Sequence, residues 1–133
     1  MNKLKTIIID DEQDAVTSIK LIIEEFCPNL IVSGTANLID DAWELIKNTN
    51  PDLIFLDVSI PRGTGFDLLE RFPIRKFDVI FITAHTKYED KSAVYGAFAY
   101  LQKPIDIDEF TSAVNKLTEF RKLNRGVPFK LGI

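Results

Sequence analysis

The sequence predicts an α/β domain: a doubly wound, five-stranded parallel sheet in the order 2-1-3-4-5, flanked by five helices. Leu53 to Leu56 and Val79 to Ile82 are short, unbroken apolar runs rich in β-formers, and Leu4 to Ile9 is apolar and β-branched, which fits strands buried on both faces of a parallel sheet. Between such runs the apolar spacing changes to three and four residues, as one face of a helix requires. Strand and helix alternate throughout, and each parallel crossover must pass over one face of the sheet in a right-handed sense.

Taken in order, Leu4 to Ile9 is a strand that ends at Asp10. From Asp14, the residues Ala15, Val16, Ile19, Ile22, Ile23 and Phe26 mark one face of a helix that Pro28 closes. Leu30 to Ala36, less apolar and containing Gly34, reads as the second strand, and Ile39, Ala42, Trp43 and Ile46 mark the second helix. Asn48-Thr49-Asn50-Pro51 turns the chain into the third strand, Leu53 to Leu56. Phe66, Leu69 and Phe72 predict a third helix cut short before Pro73. Val79 to Ile82 is the fourth strand, Tyr88 to Ala97 a weakly patterned helix, and Phe98 to Leu101 a short fifth strand. Ile107, Phe110, Val114, Leu117 and Phe120 then trace the last helix.

The 133 residues suffice for one domain with a sizeable core. Hydrophobic residues make up 46% and charged residues 27%, an ordinary globular balance, and the net charge of -4 argues against a nucleic-acid-binding surface on this segment. No apolar run approaches the roughly 18 residues of a membrane span, and the start MNKLKTIIID lacks a signal-peptide cleavage pattern, so a cytoplasmic location is expected. The single cysteine, Cys27, precludes an internal disulfide and reads as a buried, inert thiol.

In a parallel sheet the residues that terminate the apolar runs share one edge. Asp10 and Asp11 after the first strand, Asp57 after the third, Thr83 after the fourth and Lys103 after the fifth are therefore brought to the carboxyl edge. With the order 2-1-3-4-5, the first and third strands flank the topological switch point, and the three aspartates converge in its crevice. Taken singly, Asp57 reads as a turn or cap residue, Asp10-Asp11 as a helix cap, Thr83 as a strand-end hydroxyl and Lys103 as a solvated charge. Four strand ends that each supply a residue type one reaction needs outweigh those separate readings.

Ile7-Ile8-Ile9-Asp10-Asp11-Glu12, Leu56-Asp57 with Pro61 and Gly65, Thr83-Ala84, and Tyr100-Leu101-Gln102-Lys103-Pro104 together resemble the signature of bacterial response-regulator receiver domains. The tract Phe98 to Asp106 further resembles the LytTR-type branch, whose members carry a DNA-binding domain after the receiver. The resemblance implies a flavodoxin-like receiver over residues 1–122, with 123–133 a linker or the start of a C-terminal output domain. It implies that Asp57 accepts a phosphoryl group from a sensor histidine kinase, that Asp10 and Asp11 hold a divalent metal, that Thr83 and Lys103 contact the phosphoryl group, and that Tyr100 switches together with Thr83. It also implies a signalling domain rather than an enzyme, a homodimer formed on phosphorylation, and DNA contact only through an output domain. A stand-alone receiver acting by protein-protein contact is the alternative. The Lys103-Pro104 bond is a candidate cis peptide.

The chemistry of these residue types agrees. A phosphoryl donor is anionic, and Asp57 must attack it as a carboxylate with two further carboxylates close by, so a bound cation is needed to relieve the like charge. Oxygen ligands suit Mg2+, with Asp11 and Asp57 as direct ligands, Asp10 acting through water and the Ser59 carbonyl as a further ligand. Lys103 and the Thr83 hydroxyl supply a positive charge and a donor for phosphoryl oxygens, and small Ala84 leaves room for them. An aspartyl-nucleophile phosphatase would carry a second Asp two residues after the nucleophile, where this sequence has Ser59. A flavodoxin-like cofactor binder would need a phosphate-cradling loop where this sequence has Asp10-Asp11-Glu12.

Ser59 and the single histidine, His85, depart from common family choices beside the phosphoryl group; His85 reads equally as a loop residue or as one that tunes hydrolysis. Pro61-Arg62-Gly63-Thr64-Gly65 lacks the P-loop spacing, so Gly63 and Gly65 read as backbone-turn residues. Lys116, Arg121, Lys122 and Arg125 read as favourable charge at a helix C-terminus, and Phe129 to Ile133 as a lone alternating strand.

Overall fold

The computed structural model describes residues 3–129. Strands β1 (Leu4–Ile9), β2 (Leu30–Ala36), β3 (Leu53–Leu56), β4 (Asp78–Thr83) and β5 (Ala99–Gln102) form one parallel sheet in the order β2-β1-β3-β4-β5. The helices between and after them are α1 (Gln13–Phe26), α2 (Ile39–Thr49), α3 (Gly65–Glu70), α4 (Glu89–Val94) and α5 (Ile107–Leu123). The doubly wound arrangement is the predicted one, and among the described residues no helix is long and apolar enough to cross a membrane.

The two-residue side-chain period of the strands divides the core between two faces. Ile8, Phe55, Ile80 and Ile82 face α1 and α5, where Ile19, Ile23, Phe110, Val114 and Leu117 meet them. The Phe55 and Phe110 rings stack with centroids 4.8 Å apart. Ile7, Ile9, Ile54, Leu56, Val79 and Phe81 face the other way, against Ala42 and Ile46 of α2 and Phe66 and Leu69 of α3. Each large apolar side chain buried in this way contributes about 1.5–3 kcal/mol. That burial holds the strand ends in register, with Ile9 opposite Leu56 and Thr83 opposite Gln102.

Local signals explain where the elements stop. Asn50 adopts φ 50 after α2, with its N–H on the Ile46 carbonyl, and Pro51 prevents the helix from continuing. A reciprocal capping box between Thr64 and Asp67 starts α3, and the Asp106 carboxylate accepts the Glu109 N–H at the start of α5.

Several sequence-based expectations need correction. Helix α4 is shorter than Tyr88 to Ala97: it ends at Val94 because Gly96 takes φ 79 and turns the chain out of the helix. Phe72 lies beyond α3, and Phe26 is 53% exposed rather than part of the buried face of α1. An unanticipated antiparallel ladder pairs Ser59–Ile60 with Gly63–Thr64, and Arg62, not a glycine, adopts the positive φ of 70 in its turn. Gly63 and Gly65 serve close packing instead. A Cβ on Gly65 would lie 2.5 Å from the Asp57 carbonyl oxygen, and one on Gly63 would lie 2.4 Å from Ile39 Cδ1.

Arg121 is not a solvated helix-end charge. It is 5% exposed; its Nε donates to Asp78 Oδ2 at 2.8 Å and its Nη2 to the Asp52 carbonyl at 2.9 Å. The chain after α5 turns through Arg125 and Gly126, both at positive φ, and returns to the body, where Phe129 packs against Phe98 and Phe120. The lone strand expected at Phe129 to Ile133 falls largely on residues 130–133, outside the described residues.

Candidate functional site at the carboxyl edge of the sheet

The strand ends bring together the residues that the sequence singled out. Asp10 follows β1, and its N–H is bonded to the Ala36 carbonyl of β2; Asp57 follows β3, and its N–H is bonded to the Ile9 carbonyl of β1. These backbone bonds extend the sheet ladder one step past the apolar runs. Both carboxylates are thereby fixed in the crevice, with Asp10 3% and Asp57 5% exposed, while Asp11 is exposed above them. Asp10, Asp11 and Asp57 each offer a carboxylate oxygen within 4.8 Å of the others.

Lys103 closes the cluster. Its N–H is held by the Thr83 carbonyl at 2.8 Å, and its Nζ reaches Asp57 Oδ2 and Asp10 Oδ2, both at 2.9 Å, and also Glu12. The Lys103-Pro104 peptide bond is cis. The remaining Asp10 oxygen accepts the Glu12 N–H at 2.9 Å, and the Asp57 Oδ1 accepts the Ser59 N–H at 3.2 Å. Burial pushes the Asp10 carboxyl above the ordinary aspartate range, opposed by the Glu12 amide and Lys103 and reinforced by the charge of Asp57. For Lys103 burial acts to lower the pKa, but hydrogen bonds to Glu12, Asp57 and Asp10 outweigh it and hold the ammonium above the usual lysine range.

Thr83 is wholly buried at the end of β4, and its Oγ1 accepts the His85 N–H at 3.4 Å. Tyr100 of β5 is half-buried beside Phe81, with its hydroxyl donating to the His85 carbonyl at 2.5 Å. His85 Nε2 lies 2.6 Å from Ser59 Oγ. Sequence reasoning assigned no role to Glu12, although it ends the same acidic triplet as Asp10 and Asp11. The sequence places Ser59 and His85 beside the same group, but not the bond between their side chains, which joins loops from two separate strand ends.

Three carboxylates and a lysine at the switch point of a doubly wound sheet define an acidic, cation-compatible pocket of the kind carried by signalling receivers. Residues 6–115 match the response regulator receiver domain family, and the chain belongs to that family. It is 29% identical over 126 residues to the sensory transduction protein LytT of Bacillus subtilis, covering 93% of this chain and 51% of that protein. It is also 29% identical over 116 residues to the sensory transduction protein LytR of Staphylococcus haemolyticus, covering 86% and 45%. These relatives support the resemblance to the LytTR-type branch, and the chain spans about half of their length. Among solved structures, the response regulatory domain of mrkE from Klebsiella pneumoniae superposes with a TM-score of 0.83 at 25% identity, covering 90% of this chain and 99% of that one. The receiver domain of AraT from Geobacillus stearothermophilus gives 0.80 at 27% identity, covering 92% and 98%.

Proposed function

We propose that this domain is the phosphoacceptor of a two-component phosphorelay, in which Asp57 takes a phosphoryl group from a phosphohistidine on a sensor kinase. The observation that carries this reading is the Lys103 ammonium set 2.9 Å from both Asp57 and Asp10 in a pocket that Asp11 completes. A carboxylate oxygen of Asp57 forms the new O–P bond as the P–N bond of the donor breaks. The electron pair returns to the imidazole nitrogen of the kinase, which takes up a proton from solvent. Lys103 and the Thr83 hydroxyl then face phosphoryl oxygens, so positive charge and a donor are already in place where charge accumulates.

The donor set is all oxygen and closely spaced, which fits a hard divalent cation. Asp10, Asp11, Asp57 and the Ser59 carbonyl would hold Mg2+, which when bound neutralises the repulsion between the carboxylates and the incoming anion.

Resemblance to the LytTR-type branch supports an output made through a DNA-binding domain beyond this segment, in a cytoplasmic regulator. Phosphorylation adds charge at Asp57 and resets the loop between β4 and α4 through Thr83. It thereby alters Tyr100 and the face made by α4, β5 and α5, on which two copies would pair. Helix α4 has six residues and ends at a left-handed glycine, so its adjustment costs little. Incubation with acetyl phosphate and Mg2+ tests the reading: one phosphoryl group retained per chain is expected. Continuous turnover of a phosphomonoester with no retained phosphate would favour a phosphatase instead. Sedimentation with and without beryllofluoride tests the dimer.

A further inference from the structure

We infer that His85 is a positioning residue that links Asp57 to Tyr100 by a route that does not need the Thr83 hydroxyl. Three hydrogen bonds run in series from the site to the aromatic ring. The Ser59 N–H donates to Asp57 Oδ1 at 3.2 Å, Ser59 Oγ and His85 Nε2 share a bond of 2.6 Å, and the Tyr100 hydroxyl donates to the His85 carbonyl at 2.5 Å. The remaining polar group of the His85 backbone, its N–H, reaches Thr83 Oγ1 at 3.4 Å. His85 therefore has every backbone and one ring polar group committed to a residue of the site, although it is a half-buried residue in a largely exposed loop.

The geometry of the loop explains why one residue can do this. His85 lies two residues past the end of β4, and although Tyr100 pairs with Phe81 four residues earlier, the length of the tyrosine side chain carries its hydroxyl up to the His85 carbonyl. The His85 ring leans edge-on against Tyr88 with centroids 5.5 Å apart, and its Nε2 meets Ser59 of the Ser59–Ile60 ladder. The 2.6 Å bond is short for a neutral pair and spans 26 residues of sequence, so it ties the loop after β3 to the loop after β4. The Ser59 amide reads Asp57 directly. Any group added to that carboxylate changes what the amide can donate to, and a displaced Ser59 pulls on the ring of His85, the residue whose backbone carbonyl holds Tyr100. A contiguous network of this kind is a coupling route only if breaking a link is felt at the far end.

The mechanical link stands without reference to phosphorylation, while its use in signalling rests on the function proposed above. The first test therefore needs no ligand. In the metal-free protein, Ser59→Ala should shift the Tyr100 ring resonances in NMR spectra, Ser59→Thr should restore them because the hydroxyl is kept, and His85→Ala should reproduce the shift. Unchanged Tyr100 resonances in both Ser59→Ala and His85→Ala, in proteins whose other amides show the native fold, would overturn the inference. With Mg2+ and beryllofluoride, Thr83→Ala should retain a Tyr100 response that Thr83→Ala combined with Ser59→Ala loses. A response that vanishes in Thr83→Ala alone, while the Asp57 amide still shifts, would contradict the second route. A mimic that fails to shift the Asp57 amide at all would instead count against the phosphoacceptor reading and leave the ligand-free result to decide the link.

Discussion

Arg121 and Asp78 form a buried ion pair, Nε to Oδ2 at 2.8 Å, and the other oxygen of the same carboxylate accepts the Phe129 N–H at 2.7 Å. One strand, β4, thus carries Thr83 at the site end and, at the opposite end, the carboxylate that holds the C-terminal turn of α5 and the chain that leaves it.

Breaking such a pair leaves an uncompensated buried charge. Arg121→Met should therefore destabilise the domain by about 3–5 kcal/mol in urea unfolding. Lys116→Ala and Lys122→Ala, exposed on the same helix, should each stay within about 0.5 kcal/mol. Equal effects at all three positions would restore the reading of Arg121 as one helix-end charge among several.

Gly65→Ala tests the close approach between the start of α3 and the Asp57 backbone at the end of β3. The added methyl would meet the Asp57 backbone oxygen at 2.5 Å, which cannot swing aside, and Leu56 Cγ at 2.9 Å, a side chain held in place by its burial in the core. A loss of about 1–3 kcal/mol is expected, with weaker labelling of Asp57 as its backbone is displaced. Wild-type stability and labelling in this variant would show that the contact is tolerated.

What could be read from the sequence follows from how local each signal is. Strands β3 and β4 are apolar runs with a clear end, and β1, β2 and β5 are read from their place in the strand–helix alternation, so the convergence of Asp10, Asp57, Thr83 and Lys103 follows from pattern and topology. The Ser59–Ile60 ladder is two residues per strand and has no period to detect. Gly96 fits a helical pattern unless its left-handed φ is known, which is why α4 reads too long. Arg121 sits among basic neighbours at a helix end, and nothing local shows that Asp78, 43 residues earlier, meets it in the interior. Ser59 and His85 are legible as neighbours of one site, while the bond between them depends on side-chain orientation that no local pattern records.

Cys27 is 2% exposed, and burial pushes its thiol up from 9.0 to about 11. Between those values the unfolded chain ionises and the native one does not, so this contribution is fully present below about pH 9 and is lost as pH rises toward 11. The stability difference between wild type and Cys27→Ala should be flat below that window and fall within it by no more than about 3 kcal/mol. A flat difference throughout would mean that the thiol is not shielded.

Lys103 neutralises part of the carboxylate cluster in the absence of a cation. Without it, Asp10 and Asp57 face each other unpaired, so Lys103→Ala should melt at a lower temperature in chelator and gain more from added Mg2+ than wild type does. Its labelling by acetyl phosphate should also weaken strongly. An Mg2+-induced rise no larger than that of wild type would show that the ammonium and the cation do not share this site.

The most direct measurement is the mass-spectrometric location of phosphate after treatment with acetyl phosphate, in wild type, Asp57→Asn and Asp11→Ala, each with Mg2+ and with chelator. The expected result is one phosphoryl group on Asp57 that requires Mg2+, is absent from Asp57→Asn and is much reduced in Asp11→Ala. Undiminished labelling of Asp57→Asn, or labelling of wild type that chelator leaves unchanged, would contradict the assignment of Asp57 as a metal-assisted phosphoacceptor.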